Sequence, residues 1–292
     1  SAPYEGILPE LAKTSKDRVS TSAWRVLFGV IGAGMGLVGS SLLIQSFGFQ
    51  IMGIVLGIIA LVSFWISILG IKKNLDKKSR SANFVNNLNF SRALITTLKN
   101  KHFVIFSLAL VLFSLGFNLL NALIPFYVKI ILGQPESLVA LFSGLVLGSM
   151  LLALPIQTKL STKFGKKKVY GYSMLALGLI FPLLFLVGFI PLSTPFIQTV
   201  IVTILIGLAL SGQFIYPNAI LADVIDFDAK NTGLRREAIY YGMQNTLQKF
   251  SFAISSVIFG TTLAIFGSTM ENPLGIKLIG PIAGIAAILG FL

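Results

Sequence analysis

Long apolar segments constrain the fold of this chain more than any other feature of its sequence. Eight apolar runs reach about 17 to 25 residues or slightly more, the length that a helix needs to cross the hydrocarbon core of a bilayer. Of the 292 residues, 55% are hydrophobic and only 11% are charged, which excludes a soluble domain of this size. The runs lack the alternation of barrel strands, so they predict an all-α membrane protein with eight transmembrane helices. The predicted spans are 24–44, 51–71, 103–132, 137–156, 170–190, 196–221, 238–266 and 276–292.

The chain has a formal net charge of +13, and its basic residues are distributed unevenly along the sequence. They crowd segments 72–101 and 159–168, whereas the alternate loops contain no lysine or arginine; these loops are 45–50, 133–136, 191–195 and 267–275. This is the positive-inside pattern. We therefore expect a multi-pass protein of the cell (inner) membrane with both chain ends in the cytoplasm, a lipid environment and no nucleic-acid partner. Cysteine is absent, which excludes disulfide and zinc-thiolate chemistry in this chain.

The spacing of the runs predicts three parts. Residues 1–71 would end an N-terminal bundle, as a cytoplasmic segment and two transmembrane helices. Residues 72–102 would form the central cytoplasmic loop, and residues 103–292 a C-terminal six-helix bundle whose last helix is truncated. Because the chain starts at Ser1 and its last apolar run stops at Leu292, we interpret it as a fragment.

Lys249 is the most informative single residue. It lies eleven residues inside the seventh run, which places it about 16 Å deep at 1.5 Å per helical residue. A lysine near the middle of a bilayer is costly by at least about 2.5 kcal/mol unless it faces water or an acidic partner. All ten acidic residues lie in loops or at helix ends. We therefore expect a wet cavity whose ligand, water or absent protein segment partners Lys249.

Polar side chains on the third, sixth and seventh spans favour the same cavity. Tyr241, Asn245 and Lys249 form one helical stripe, beside a second stripe that contains Gln244. Gln213 has the same predicted depth as Lys249. For Asn118 and Asn121, helix adhesion and cavity lining are both open interpretations, and Arg25 could be an interfacial anchor. The candidate substrate-binding residues are Arg25, Asn118, Asn121, Gln213, Phe214, Tyr241, Gln244, Asn245 and Lys249. On the fourth span, Gly144 and Gly148, with Ser143 and Ser149, predict a close-packing face.

The charged segment 222–237 is expected to be a loop between the sixth and seventh helices. Its aspartates would lie at the C-terminal end of a helix, where an unpaired acidic cluster is unfavourable. It could hold solvated salt bridges worth less than about 1 kcal/mol each, or a charge lock that closes the cytoplasmic helix ends in one conformation. Its spacing does not fit a calcium loop. The candidate lock residues are Asp223, Asp226, Asp228, Arg235, Arg236 and Glu237, with Lys230 as another neutralising group.

The same segment has the pattern A-D-x-x-D-F-x-x-x-x-T-G-x-R-x-E, which resembles the signature of the glycoside-pentoside-hexuronide:cation symporters. This melibiose permease group belongs to the major facilitator superfamily. PYEGILPEL at 3–11 resembles that family's segment after its fourth helix, and LSTKFGKKK at 160–168 resembles the basic loop of the superfamily. In that loop Thr158 and Thr162 replace the usual Gly and Asp.

The resemblance implies a partial major-facilitator bundle in which the eight spans match family helices 5 to 12. It implies a sugar-contacting role for Arg25, a place near the sugar and cation sites for Lys249, and stacking on the sugar for Phe214. The carboxylates that bind the coupling cation would lie on absent helices. We therefore expect Na⁺ or H⁺ coupling, no metal site in this segment, no other cofactor, and a monomeric full-length protein.

The leading functional hypothesis is cation-coupled symport of a small glycoside or other sugar by alternating access. The alternatives are a symporter of a lipid-like or other small organic solute, a membrane-embedded enzyme and a structural membrane subunit. Lys249 has no His, Cys or carboxylate near it in the sequence pattern, which disfavours an enzyme. The sequence has no Walker loop for ATP.

Overall fold

The computed structural model describes residues 15–34, 40–74, 96–135, 138–189, 191, 193–233 and 236–292. Within these ranges the regular secondary structure is helical. The helices are α1 (Ser15–Gly34), α2 (Ser40–Asn74), α3 (Lys101–Phe126) followed by a π-helical turn (Tyr127–Ile131), α4 (Leu138–Phe164), α5 (Lys166–Ile180), α6 (Leu183–Leu186), α7 (Pro195–Thr232), α8 (Glu237–Phe266) and α9 (Leu274–Phe291).

Seven segments within the described ranges are long and apolar enough to cross a membrane. They correspond to the second to eighth predicted spans and confirm an all-α membrane protein. The first predicted span includes residues 35–39, which lie outside the described ranges, so the prediction of eight spans is not tested there. The predicted turn after that span coincides with Gly48, where φ of 78° breaks the regularity of α2.

Local chemistry explains several helix boundaries. Asn100 caps α3, because its side-chain oxygen accepts hydrogen bonds from the backbone N–H groups of His102 and Phe103. Thr194 caps α7 in the same way and precedes Pro195, a residue suited to the first helical turn. The fifth predicted span is divided into α5 and α6 at Pro182, which lacks an N–H group to continue the helical pattern.

The charged segment was predicted to be a loop, with its three aspartates at the C-terminal end of a helix. The loop prediction is wrong for residues 222–232, and the placement of the aspartates near the end of a helix is confirmed. Helix α7 continues through it to Thr232 and ends at Gly233, which adopts the left-handed conformation with φ of 71°. The segment contains no helix breaker before Gly233, and ion pairs offset the aspartates near the negative end of the helix. The three aspartates therefore have fixed positions on the last turns of a long helix.

The bundle is built from α3, α4, α5, α7, α8 and α9, with α1 packed against α4 and α7. The predicted close-packing face of α4 is wrong for Gly144 and Gly148, because a Cβ atom at either position would meet no described residue within 4 Å. Ser149, which belongs to the same predicted face, does pack closely, because a Cβ atom at Gly207 on α7 would overlap its hydroxyl. A Cβ atom there would lie 2.5 Å from the carbonyl oxygen of Val146.

Candidate functional site

A cavity of about 840 Å³ lies between α1, α3, α4, α7 and α8. Its volume is within the range of small-molecule binding sites, about 300 to 1,000 Å³. Its wall contains Arg25, Val26, Gly29, Ser114, Phe117, Asn118, Leu147, Met150, Gln213, Phe214, Pro217, Asn218, Gln244, Asn245, Gln248, Lys249 and Phe252. Five helices contribute to it, so the site depends on the tertiary structure.

The structure brings most of the candidate substrate-binding residues together in this wall. These are Arg25, Asn118, Gln213, Phe214, Gln244, Asn245 and Lys249. Their sequence separation exceeds 200 residues between α1 and α8, yet they surround one space. Their shared position makes them candidates for contact with one ligand.

Two of the predicted substrate-binding residues lie outside the cavity wall. The Tyr241 side chain is fully buried behind the wall, and its hydroxyl lies 3.5 Å from the Asn218 carbonyl oxygen. Asn121 is exposed, and its amide donates to the Phe117 carbonyl oxygen of the same helix at 3.0 Å. A stripe on one helix predicts a common face, but the neighbouring helices decide where the cavity ends on that face.

Hydrogen bonds to other helices hold the cavity amides. Asn118 donates to the Ser251 hydroxyl at 3.5 Å, and Gln244 donates to the Asn218 side-chain oxygen at 3.4 Å. Sequence analysis missed Asn218, although it follows Pro217 on the sixth predicted span. A polar side chain beside a proline in an apolar helix was the available signal.

Gln244 has one buried acceptor without a partner. Only 4% of this residue is exposed, and within the described residues its Oε1 atom receives no hydrogen bond. An unsatisfied buried acceptor is costly by about 1 to 3 kcal/mol.

The cavity wall is basic and lacks acidic side chains. Arg25 and Lys249 are both exposed, and within the described residues the Lys249 ammonium makes no hydrogen bond or ion pair. No group of His, Cys, Asp or Glu in the described part of the chain could hold a metal ion. This wall can therefore bind neutral polar or anionic groups, while a cation ligand set is not present in the described wall.

An aromatic pair adds an apolar surface to the amides. The rings of Phe214 and Phe117 meet edge to face, with centroids 5.4 Å apart, and both residues line the cavity. A phenyl face can pack against the C–H face of a pyranose ring, and it offers no hydrogen bond. The site thus combines an apolar face with surrounding amides.

Two ion pairs lie near the C-terminal end of α7. Lys166, at the start of α5, contacts Asp223 at 2.6 Å and donates to the Ala219 carbonyl oxygen at 2.9 Å. Arg236 contacts Asp228 at 2.6 Å, and both residues are buried. Asp226 lies on the same turns and Glu237 begins α8, whereas Arg235 lies outside the described residues. The Lys166 partner of Asp223 was missed, although it belongs to the basic segment 160–168.

The chain matches a known protein family over most of its length. The family model described as "MFS/sugar transport protein" matches residues 1–275. This chain belongs to that family. The sequence is 26% identical over 310 aligned residues to the uncharacterized symporter YjmB of Bacillus subtilis, and 25% identical over 287 to the raffinose carrier protein of Pediococcus pentosaceus.

The chain covers only part of the length of these relatives. The alignments cover 99% and 91% of this chain, but 65% of YjmB and 42% of the raffinose carrier. A crystal structure of a bacterial homologue of the iron transporter ferroportin, in the outward-facing state, aligns with a TM-score of 0.66 at 14% identity. It covers 97% of this chain and 64% of that one, and it supports the transporter fold alone. Membership of the MFS/sugar transport protein family is thus shown over most of this chain.

Proposed function

We propose that this protein carries out cation-coupled symport of a small sugar, and that the cavity between α1, α3, α4, α7 and α8 holds the sugar. The observation that carries the proposal is the combination of amide side chains, two basic groups and an aromatic face around about 840 Å³. Sugar hydroxyls need donors and acceptors at many angles, and their C–H faces need apolar contact. The raffinose carrier among the relatives supports a glycoside as substrate.

The Phe214 face and the two basic side chains, Lys249 and Arg25, have complementary proposed roles. The phenyl ring packs on one face of the pyranose, and Lys249 and Arg25 donate to hydroxyl or ring oxygens. Alternating access would expose this wall first to one side of the membrane and then to the other. The coupling cation is Na⁺ or H⁺ in this proposal.

The test is uptake by the full-length protein in proteoliposomes. Labelled raffinose, melibiose and lactose are supplied with an inward Na⁺ gradient, an inward H⁺ gradient or neither. For one cation per sugar and no membrane potential, a tenfold cation gradient should drive about tenfold accumulation, because both correspond to about 1.4 kcal/mol. Accumulation with only one gradient identifies the coupling cation.

The same vesicles test the alternative substrate class. If folded protein accumulates no glycoside under either gradient, the sugar proposal is wrong. Gradient-driven movement of lysophosphatidylcholine in those vesicles would then assign a lipid-like substrate. Protein-free vesicles serve as the leak control for every solute.

A further inference from the structure

A buried tyrosine outside the cavity contacts one of its wall residues. Tyr170 lies on α5, is only 5% exposed and is not part of the cavity wall. Its hydroxyl donates to Gln213 Oε1 at 3.0 Å. On the other side, Gln213 Nε2 donates to the Ser114 hydroxyl at 2.9 Å. The Gln213 amide is therefore held between α3 and α5.

These two bonds leave a defined part of the amide for a ligand. A glutamine amide has two N–H donors and two acceptor lone pairs. One donor and one lone pair are used by Ser114 and Tyr170, so one of each remains. Gln213 is half-buried and lines the cavity. An adjacent donor and acceptor in fixed positions match two neighbouring hydroxyl groups, one accepting and the other donating.

The surroundings of Tyr170 keep its ring in place. The ring meets Phe113 and Tyr216 edge to face, with centroid distances of 5.7 and 6.3 Å. Helices α5 and α7 are close at this level, because a Cβ atom at Gly212 would lie 2.5 Å from the Ser173 hydroxyl. A ring packed in this way presents its hydroxyl to Gln213 with little freedom, and such preorganisation lowers the entropic cost of binding.

We infer that Tyr170 is a positioning residue that, with Ser114, fixes the Gln213 amide to recognise adjacent hydroxyl groups of a sugar. The inference rests on the proposed sugar-transport function. It assigns a role in specificity to α5, a helix that contributes nothing to the cavity wall.

The test is a binding experiment on Tyr170→Phe in the full-length protein. The substitution keeps the ring and its packing and removes only the hydroxyl. We expect the Kd for raffinose to rise about three- to tenfold, since one oriented hydrogen bond is lost. The wild-type protein should bind some monodeoxy analogues of raffinose more weakly than raffinose itself. In Tyr170→Phe, the ratio of the Kd for the most weakly bound of these analogues to the Kd for raffinose should be smaller than in the wild type. Tyr172→Phe is the matched control, because Tyr172 lies two residues away on α5 and is 56% exposed.

A double-mutant cycle separates positioning from general stability. In a Gln213→Ala background, Tyr170→Phe should have no further effect on raffinose affinity, because the residue that it positions is gone. Ser114→Ala should weaken binding in the wild-type background and have a smaller effect in the Gln213→Ala background, where only the direct contribution of Ser114 to the cavity wall remains. A purely structural role of Tyr170 predicts the same loss in both backgrounds.

The outcomes are distinguishable. If the wild-type protein binds raffinose but Tyr170→Phe leaves its affinity and its discrimination between analogues unchanged, the positioning role is wrong and the transport proposal stands. Equal losses in both backgrounds would also overturn the positioning role. If the wild-type protein binds no sugar of the panel, the proposed function and this inference both fail.

Discussion

At the scale of single residues, a substitution of Lys249 should affect transport without affecting stability. Its ammonium has no hydrogen bond or ion pair in the described structure, so Lys249→Ala should leave folding and membrane abundance unchanged. Coupled sugar uptake should be lost, because the proposed donor to the sugar is removed. Uptake in proteoliposomes and immunoblotting of the membranes measure the two effects, with exposed Lys101→Ala as the control. Normal coupled uptake by Lys249→Ala would remove Lys249 from the site.

Gln244 gives a second residue-scale prediction, with effects of opposite sign. Gln244→Met removes the buried acceptor that has no partner and retains most of the side-chain volume. The variant should be at least as thermally stable as the wild type, since removing an unsatisfied group relieves about 1 to 3 kcal/mol and the lost bond to Asn218 is long. Raffinose affinity should fall about threefold, because Asn218 on the cavity wall loses the hydrogen bond that orients its amide. Thermal unfolding together with equilibrium binding tests this, and lower stability with unchanged affinity would assign Gln244 a packing role.

At the scale of helices, the close contact between α4 and α7 depends on the absence of a side chain at Gly207. Gly207→Ala places a methyl group against the Val146 carbonyl and should destabilise the bundle by about 1 to 3 kcal/mol. Gly148→Ala on α4 is the matched control, because no residue in the described part of the chain lies within 4 Å of its new methyl group. That control should be neutral or stabilising, since alanine favours helix by about 1 kcal/mol over glycine. Equal unfolding temperatures for the two variants would show that the close approach at Gly207 contributes little to stability.

The buried pair between the end of α7 and the start of α8 gives another prediction at this scale. Arg236→Gln leaves the Asp228 carboxylate buried without its cation and should destabilise the protein by about 3 to 5 kcal/mol. Adding Asp228→Asn should restore much of this loss, because the uncompensated charge is removed. Chemical or thermal unfolding of both variants is the measurement. A double variant as unstable as Arg236→Gln alone would show that packing, and not charge, determines the effect.

At the scale of the whole molecule, the positive-inside pattern predicts which turns face the cytoplasm. Thr162, near the cytoplasmic end of α4 in this prediction, and Thr269, after α8, are both exposed. The sequence contains no cysteine, so no other thiol in it would react with the labelling reagent when a single cysteine is introduced. In intact cells, a membrane-impermeant maleimide should label Thr269→Cys and leave Thr162→Cys unlabelled until the cells are opened. Labelling of Thr162→Cys in intact cells would reverse the predicted orientation.

The helical membrane architecture and seven of the seventeen residues of the cavity wall could be predicted from the sequence. Long apolar runs favour helices because a helix satisfies its own backbone groups in lipid, and a mid-depth Lys249 needs a polar space. The domain boundaries at 71 and 102 stay predictions, because residues 75–95 lie outside the described ranges.

Which side chains meet across helices depends on the packing of the whole bundle and could not be predicted from one helix at a time. Helical periodicity places Asn121 and Tyr241 on polar stripes, but it does not say which part of a stripe a neighbouring helix covers. For the same reason, helical periodicity could not predict the hydrogen bond between Tyr170 and Gln213 or the ion pair between Lys166 and Asp223. In each case the two residues lie on different helices. The sequence pattern specifies one helix face at a time, whereas a binding site requires the packing of several faces, and that packing depends on distant residues such as Gly207 and Gly212.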